Sequence, residues 1–69
     1  MGQIIVQVND EPTELASGTT LAALLEQLKV KPRGIAAAIN SEVIPQSQWH
    51  AAALESGDSV LIITATQGG

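Results

Sequence analysis

Few side chains of this 69-residue sequence are equipped for chemistry. His50 is the single histidine, and no second ligand stands at motif spacing around it. A lone histidine beside Trp49 reads as a surface or packing residue. The seven carboxylates, Asp10, Glu11, Glu14, Glu26, Glu42, Glu55 and Asp58, are scattered through turns and polar faces. None is paired in the way a general acid–base couple requires. No glycine-rich loop opens a helix to cradle phosphate, and no activated-serine pattern is present. Residue 2 is Gly2, which rules out catalysis by an amino-terminal proline. There is no cysteine, and hence no Cys-ligated zinc, thiol nucleophile or sulfur carried on a thiol side chain. The sequence therefore assigns no catalytic residue, no metal ligand and no cofactor, and predicts a protein that is not itself an enzyme.

What remains is the end of the chain, Gln67-Gly68-Gly69. A glycine usage of about 7 % makes two specified glycines a chance event in roughly one chain in two hundred. The plain reading is a frayed terminus of small residues. The chemical reading concerns the carboxylate of Gly69, a poor electrophile that an ATP-dependent partner can convert to an acyl-adenylate. An amine or sulfur nucleophile can then attack that anhydride. Glycines suit a substrate tail because, lacking Cβ, they thread a narrow channel and accept backbone angles other residues refuse. With no cysteine in the chain, any sulfur it carried would sit on the Gly69 carbon as a thiocarboxylate.

A chain of this length is one small domain that buries about 60 % of its extended surface. Its core supplies only about 3–5 kcal/mol of net stability. The formal net charge is −4, with Lys29, Lys31 and Arg33 the only basic side chains. A basic face able to neutralise phosphates cannot be built from these, which argues against nucleic acid as a partner. The segment "MGQIIVQVND" has no basic n-region and no apolar run of signal length. Val6 occupies the position where a myristoylation motif needs Ser or Thr. Nothing reaches the length of a membrane span. These features predict a cytoplasmic protein whose partners are proteins.

The elements that must position the tail are legible in the patterning. Gln3-Ile4-Ile5-Val6-Gln7-Val8 alternates as a strand, with Ile4, Val6 and Val8 toward the core. Asn9-Asp10 is a turn signal. A second strand, about Glu11 to Leu15, contains Pro12 and must lie at a sheet edge. In "SGTTLAALLEQLKV", Leu21, Leu24, Leu25 and Leu28 form one helical stripe, capped by Thr19 or Thr20. Pro32 bars further helix, and Lys29 and Lys31 sit at its negative end. "GIAAAIN" and "EVIP" read as short strands around an Asn40-Ser41 turn. "QSQWHAAALESGD" holds a turn of helix before the Ser56-Gly57-Asp58 turn. The last strand runs from Ser59 to about Ala65. The order β-β-α-β-β-β, with both terminal strands strongly apolar and therefore central neighbours, predicts an α+β fold of the ubiquitin-like β-grasp type. One mixed sheet packs on one main helix, in a single domain over residues 1–65 with a flexible diglycine tail at 66–69.

Three stretches, "AAINSEVIPQSQW" (37–49), "SGDSV" (56–60) and the terminal "GG", resemble the ThiS-type sulfur carriers of thiamine biosynthesis. The similarity extends through "ASGTTLAALLEQL" (16–28) and so covers the whole chain. It implies adenylation of Gly69 by an enzyme of the ubiquitin-activator type, and conversion to a thiocarboxylate by a sulfurtransferase or cysteine desulfurase system. Transfer of the sulfur by thiazole synthase into the thiazole ring follows. Gly68 and Gly69 are the functional positions carried over. Where the family often has an arginine after the proline matching Pro45, this chain has Gln46. Two alternatives share the fold: a carrier of the molybdopterin synthase small-subunit type, and a β-grasp interaction module with no covalent chemistry. Counting back from the diglycine, as in ubiquitin-like proteins, puts Val60 and Ile62 inside the sheet. Leu61 and Ile63 then fall on its open face as a partner surface.

Overall fold

The computed structural model describes residues 2–30 and 34–64. Five strands, β1 (Gln3–Val8), β2 (Glu11–Ala16), β3 (Ile35–Ile39), β4 (Glu42–Ile44) and β5 (Ser59–Thr64), form one sheet in the order β2-β1-β5-β3-β4. β5 pairs parallel with β1 and antiparallel with β3, so the sheet is mixed and its central strand is the last one. β2, which contains Pro12, lies at one edge, where a missing N–H costs no ladder bond. This is the β-grasp arrangement expected from the patterning.

Both hairpin turns are built from residues with positive φ. Asn9 and Asp10 (51° and 69°) join β1 to β2, and Asn40 and Ser41 (51° and 73°) join β3 to β4. Two-residue turns of this hand match the right-handed twist of the strands they connect. Gly57, at φ 91°, makes the turn into β5, and its N–H donates to the Ile5 carbonyl at 2.9 Å.

Helix α1 (Leu21–Gln27) crosses one face of the sheet. Thr20 is its cap, with Oγ1 accepting from Ala23 N at 3.2 Å. Leu21, Leu24 and Leu25 are buried as the stripe requires, but Leu28 is not: it is the C-cap residue and 41 % exposed. The helix ends a turn early because Lys29 adopts φ 58°. There the Lys29 and Val30 amides donate to the carbonyls of Glu26 and Leu25, both at 3.0 Å. This is the left-handed Schellman closure, which satisfies carbonyls that a helix end leaves unpaired. Lys31, Pro32 and Arg33 lie outside the described residues.

The core is Val6, Val8, Leu15, Leu21, Leu24, Leu25, Ala37 and Val60, closed below by Trp49 and Leu54. Trp49 sits in a 3-10 helix, Gln46–Ala51, and its Nε1–H donates to the Ile44 carbonyl at 2.8 Å. That bond satisfies the indole inside an apolar setting. Among the described residues, no buried side-chain polar atom lacks a partner and no helix is long and apolar enough to cross a membrane.

Candidate functional site

The reactive position read from the sequence, the carboxylate of Gly69, lies with Gly68 outside the described residues, as does the proposed tail boundary at 65/66. What the structure describes is the platform that leads to it. β5 is flanked on both sides, by β1 through Gln7↔Ser59 and Val8↔Val60, and by β3 from Ile39↔Val60 to Ile35↔Thr64. The strand that carries the tail is thus the central strand of the sheet.

The base of β5 is bound to the turns around it. Asp58 accepts from Asn40 Nδ2 (3.1 Å) through Oδ1 and from Glu55 N (2.9 Å) through Oδ2. Ser59 N donates to Asn40 Oδ1 at 2.9 Å, and Asn40 N donates to the Ser59 carbonyl at 2.7 Å. Farther along, Ile62 N donates to Asn9 Oδ1 at 2.9 Å. Sequence reading marked Asn9 and Asn40 as turn formers and missed these bonds to the strand. The signal available was that both asparagines of the chain stand at the first position of a turn.

Alternation along β5 divides its apolar residues between two environments. Val60 is buried at 1 % exposure and Ile62 packs against the core, whereas Leu61 and Ile63 are 48 % and 49 % exposed. Leu61 pairs with Ala38 and Ile63 with Ala36 on β3, while Ala38 in turn pairs with the exposed Val43 of β4. Small alanines between these larger side chains give an apolar strip on the face opposite α1. None of these five residues is charged.

The remaining surface offers little for catalysis. His50 is exposed in the 3-10 helix. Among the described residues, no three His, Asp or Glu side chains gather as a metal site. An open groove of about 380 Å³ lies beside β4, lined mainly by Val43, Ile44, Pro45, Ala51 and Ala52, with Glu42 and Gln48 as its polar members. No pair of ionisable groups converges there.

Comparison with known proteins agrees with this architecture. The model of the ThiS family matches residues 5–69. The sulfur carrier protein ThiS of Escherichia coli (strain K12) is 38 % identical over 61 residues, covering 88 % of this chain and 92 % of that protein. A thiazole synthase of Paramagnetospirillum magneticum is 32 % identical over 62 residues, covering 90 % of this chain but 19 % of that larger protein. The crystal structure of a ThiS thiamine biosynthesis protein from Geobacter metallireducens superposes with a TM-score of 0.82 at 26 % identity, covering 96 % of this chain and all of the other. With the family match spanning nearly all of the sequence and a β-grasp sheet centred on the strand that leads to the diglycine, the chain belongs to the ThiS family.

Proposed function

We infer that this protein is the sulfur carrier of thiamine biosynthesis, a cosubstrate acted on by partner enzymes and not a catalyst. The observation that carries the reading is the family match, which runs through Gly68 and Gly69. In the proposed cycle a Gly69 carboxylate oxygen attacks the α-phosphorus of ATP and pyrophosphate leaves, giving the acyl-adenylate. A sulfur nucleophile at the oxidation level of sulfide then attacks the acyl carbon and AMP leaves. The product is a thiocarboxylate; as its sulfur passes to the forming thiazole the C–S bond breaks, and the acyl carbon takes an oxygen from water or from a carbonyl of the thiazole precursor to return as the carboxylate. The partners are an adenylating enzyme of the ubiquitin-activator type, a sulfurtransferase or cysteine desulfurase system, and thiazole synthase, with the cycle running in the cytoplasm. Similarity to a segment of a thiazole synthase supports the thiazole branch over a molybdopterin synthase role.

Residues 66–69 act in this reading as the tail that enters the activating enzyme, with 1–65 as the docking body. The strip at Leu61 and Ile63 supplies the contact surface, because two half-exposed branched side chains on an open sheet face gain most by being covered. The test is ATP–pyrophosphate exchange by the activating enzyme, using the parent, a form lacking Gly69 and a form with one alanine added after it. Shortening moves the carboxylate by about 3.3 Å, and a misplacement on the order of 1 Å costs about a hundredfold in rate. Both edited forms should lose exchange; exchange at the parent rate would refute the carrier reading.

A further inference from the structure

The two hairpins match position for position. Asn9-Asp10-Glu11-Pro12 turns β1 into β2, and Asn40-Ser41-Glu42-Val43 turns β3 into β4. β2 and β4 are also the two edges of the sheet. Successive residues of a strand direct their backbone bonds alternately to one neighbour and the other. Asn40 N donates to the Ser59 carbonyl at 2.7 Å, so Asn40 and Ala38 bond toward β5, and Ile39 and Ala37 toward β4. Val43, paired with Ala38, therefore takes no bond from β3, and its N–H and carbonyl point outward. Gln7 N donates to the Asp58 carbonyl at 2.9 Å, and by the same alternation Pro12, paired with Gln7, holds the outward position of β2. That edge has no donor there and carries Glu11 and Glu14 beside it, a protection against strand pairing. At the equivalent position β4 has a valine that is 67 % exposed.

The open edge runs beside the apolar groove of Ile44, Pro45, Ala51 and Ala52. Ile44 packs against the core and so faces the helix side of the sheet, with Glu42 two residues before it on the same side. The edge stops at Pro45, which has no N–H and whose carbonyl accepts from Gln48 N at 2.8 Å. A strand laid antiparallel to β4 exchanges both bonds of Val43 with a single residue of its own. The neighbours of that residue then lie opposite Ile44 and Glu42, toward the groove. Glu42 is the one charged residue in the groove lining. We propose that β4 is a docking edge for an extended segment of a partner protein, in which an apolar, a β-branched and a basic residue follow in that order. They meet Ile44, Val43 and Glu42 respectively. A second copy of the chain fits less well, because pairing centred on Val43 sets each Glu42 against the apolar Ile44 of the other copy. Each copy also carries a net charge of −4. The edge serves such a partner whether or not Gly69 is activated.

The experiment titrates the isotope-labelled, full-length protein with the capped peptide Ser-Ile-Val-Lys-Ser, and with the same peptide carrying glutamate for lysine. Amide shifts are read residue by residue. The lysine peptide should give a saturable shift centred on the Val43 amide. It should bind about fivefold more tightly than the glutamate peptide, the upper range for one exposed ion pair. Val43→Pro copies Pro12, breaks no ladder bond and leaves Glu42 in the extended conformation suited to a residue before proline. It should keep the parent's spectrum elsewhere and lose the binding, while Val43→Thr, which retains the N–H, should bind. Glu42→Lys leaves the backbone intact and should invert the preference between the two peptides, a test that stands even if Val43→Pro fails to fold. No saturable shift at Val43 with millimolar peptide, parent-like binding by a folded Val43→Pro, or an unchanged preference in Glu42→Lys each overturns the proposal. A peptide-free dimer of the parent that Val43→Pro abolishes would also overturn it, by showing a second copy on the edge.

Discussion

Neighbouring residues of β5 do different work because a strand turns successive side chains to opposite faces. Val60 is sealed against the helix and Leu61 is half open to solvent, one residue on. Leu61→Glu should therefore leave stability within about 0.5 kcal/mol of the parent, the usual range for surface changes. Binding to the activating enzyme should weaken, which calorimetric titration beside a thermal melt will separate from loss of folding. Leu24→Ala is the contrasting case. It empties a fully buried position in the core and should cost about 2–5 kcal/mol, read from urea unfolding. The inside–outside division of β5 was legible from alternation and the position of the diglycine. The acceptor roles of Asn9 and Asn40 were not, because turn propensity reports a backbone conformation and says nothing about which strand the amide oxygen will meet.

At the scale of elements, the short helix depends on its two ends. Thr20 caps the first turn, and Lys29 closes the last in a left-handed conformation that costs a residue with Cβ roughly 1–2 kcal/mol. Lys29→Gly removes that strain and adds chain entropy on unfolding. It should thus raise stability by up to about 1 kcal/mol, measured as a higher urea midpoint with unchanged slope. The early stop also explains why Leu28, fourth in the apolar stripe, is a partly exposed cap residue: periodicity finds the face of a helix but not the residue that leaves it. Strands β1, β2 and β5 were legible because β-branched alternation, Pro12 and the asparagine turns all agree. The segment 46–54 was read only as a turn of helix. Its burial of Trp49 and Leu54 depends on the Trp49–Ile44 bond and the Thr20↔Ala53 bridge, contacts between segments with no local pattern.

Over the whole molecule, the proposed division between a folded body and a substrate tail predicts that edits affect the two separately. Removing Gly69, or adding an alanine after it, should shift folding stability by no more than about 0.5 kcal/mol, while exchange is lost. Parallel melts and exchange assays on the same preparations check that division. The proposal for the tail rests on the sequence alone, on its two glycines and the missing cysteine, because residues 65–69 lie outside the described structure. Its chemistry also gives the most direct measurement. The protein should be purified from a thiamine-starved host and analysed by intact-mass and tandem mass spectrometry, beside protein incubated with activating enzyme, ATP and sulfur donor. The carrier account expects a fraction in which one oxygen is exchanged for sulfur, localised to Gly69. Finding only the carboxylate in both preparations, with all three components present, would contradict it.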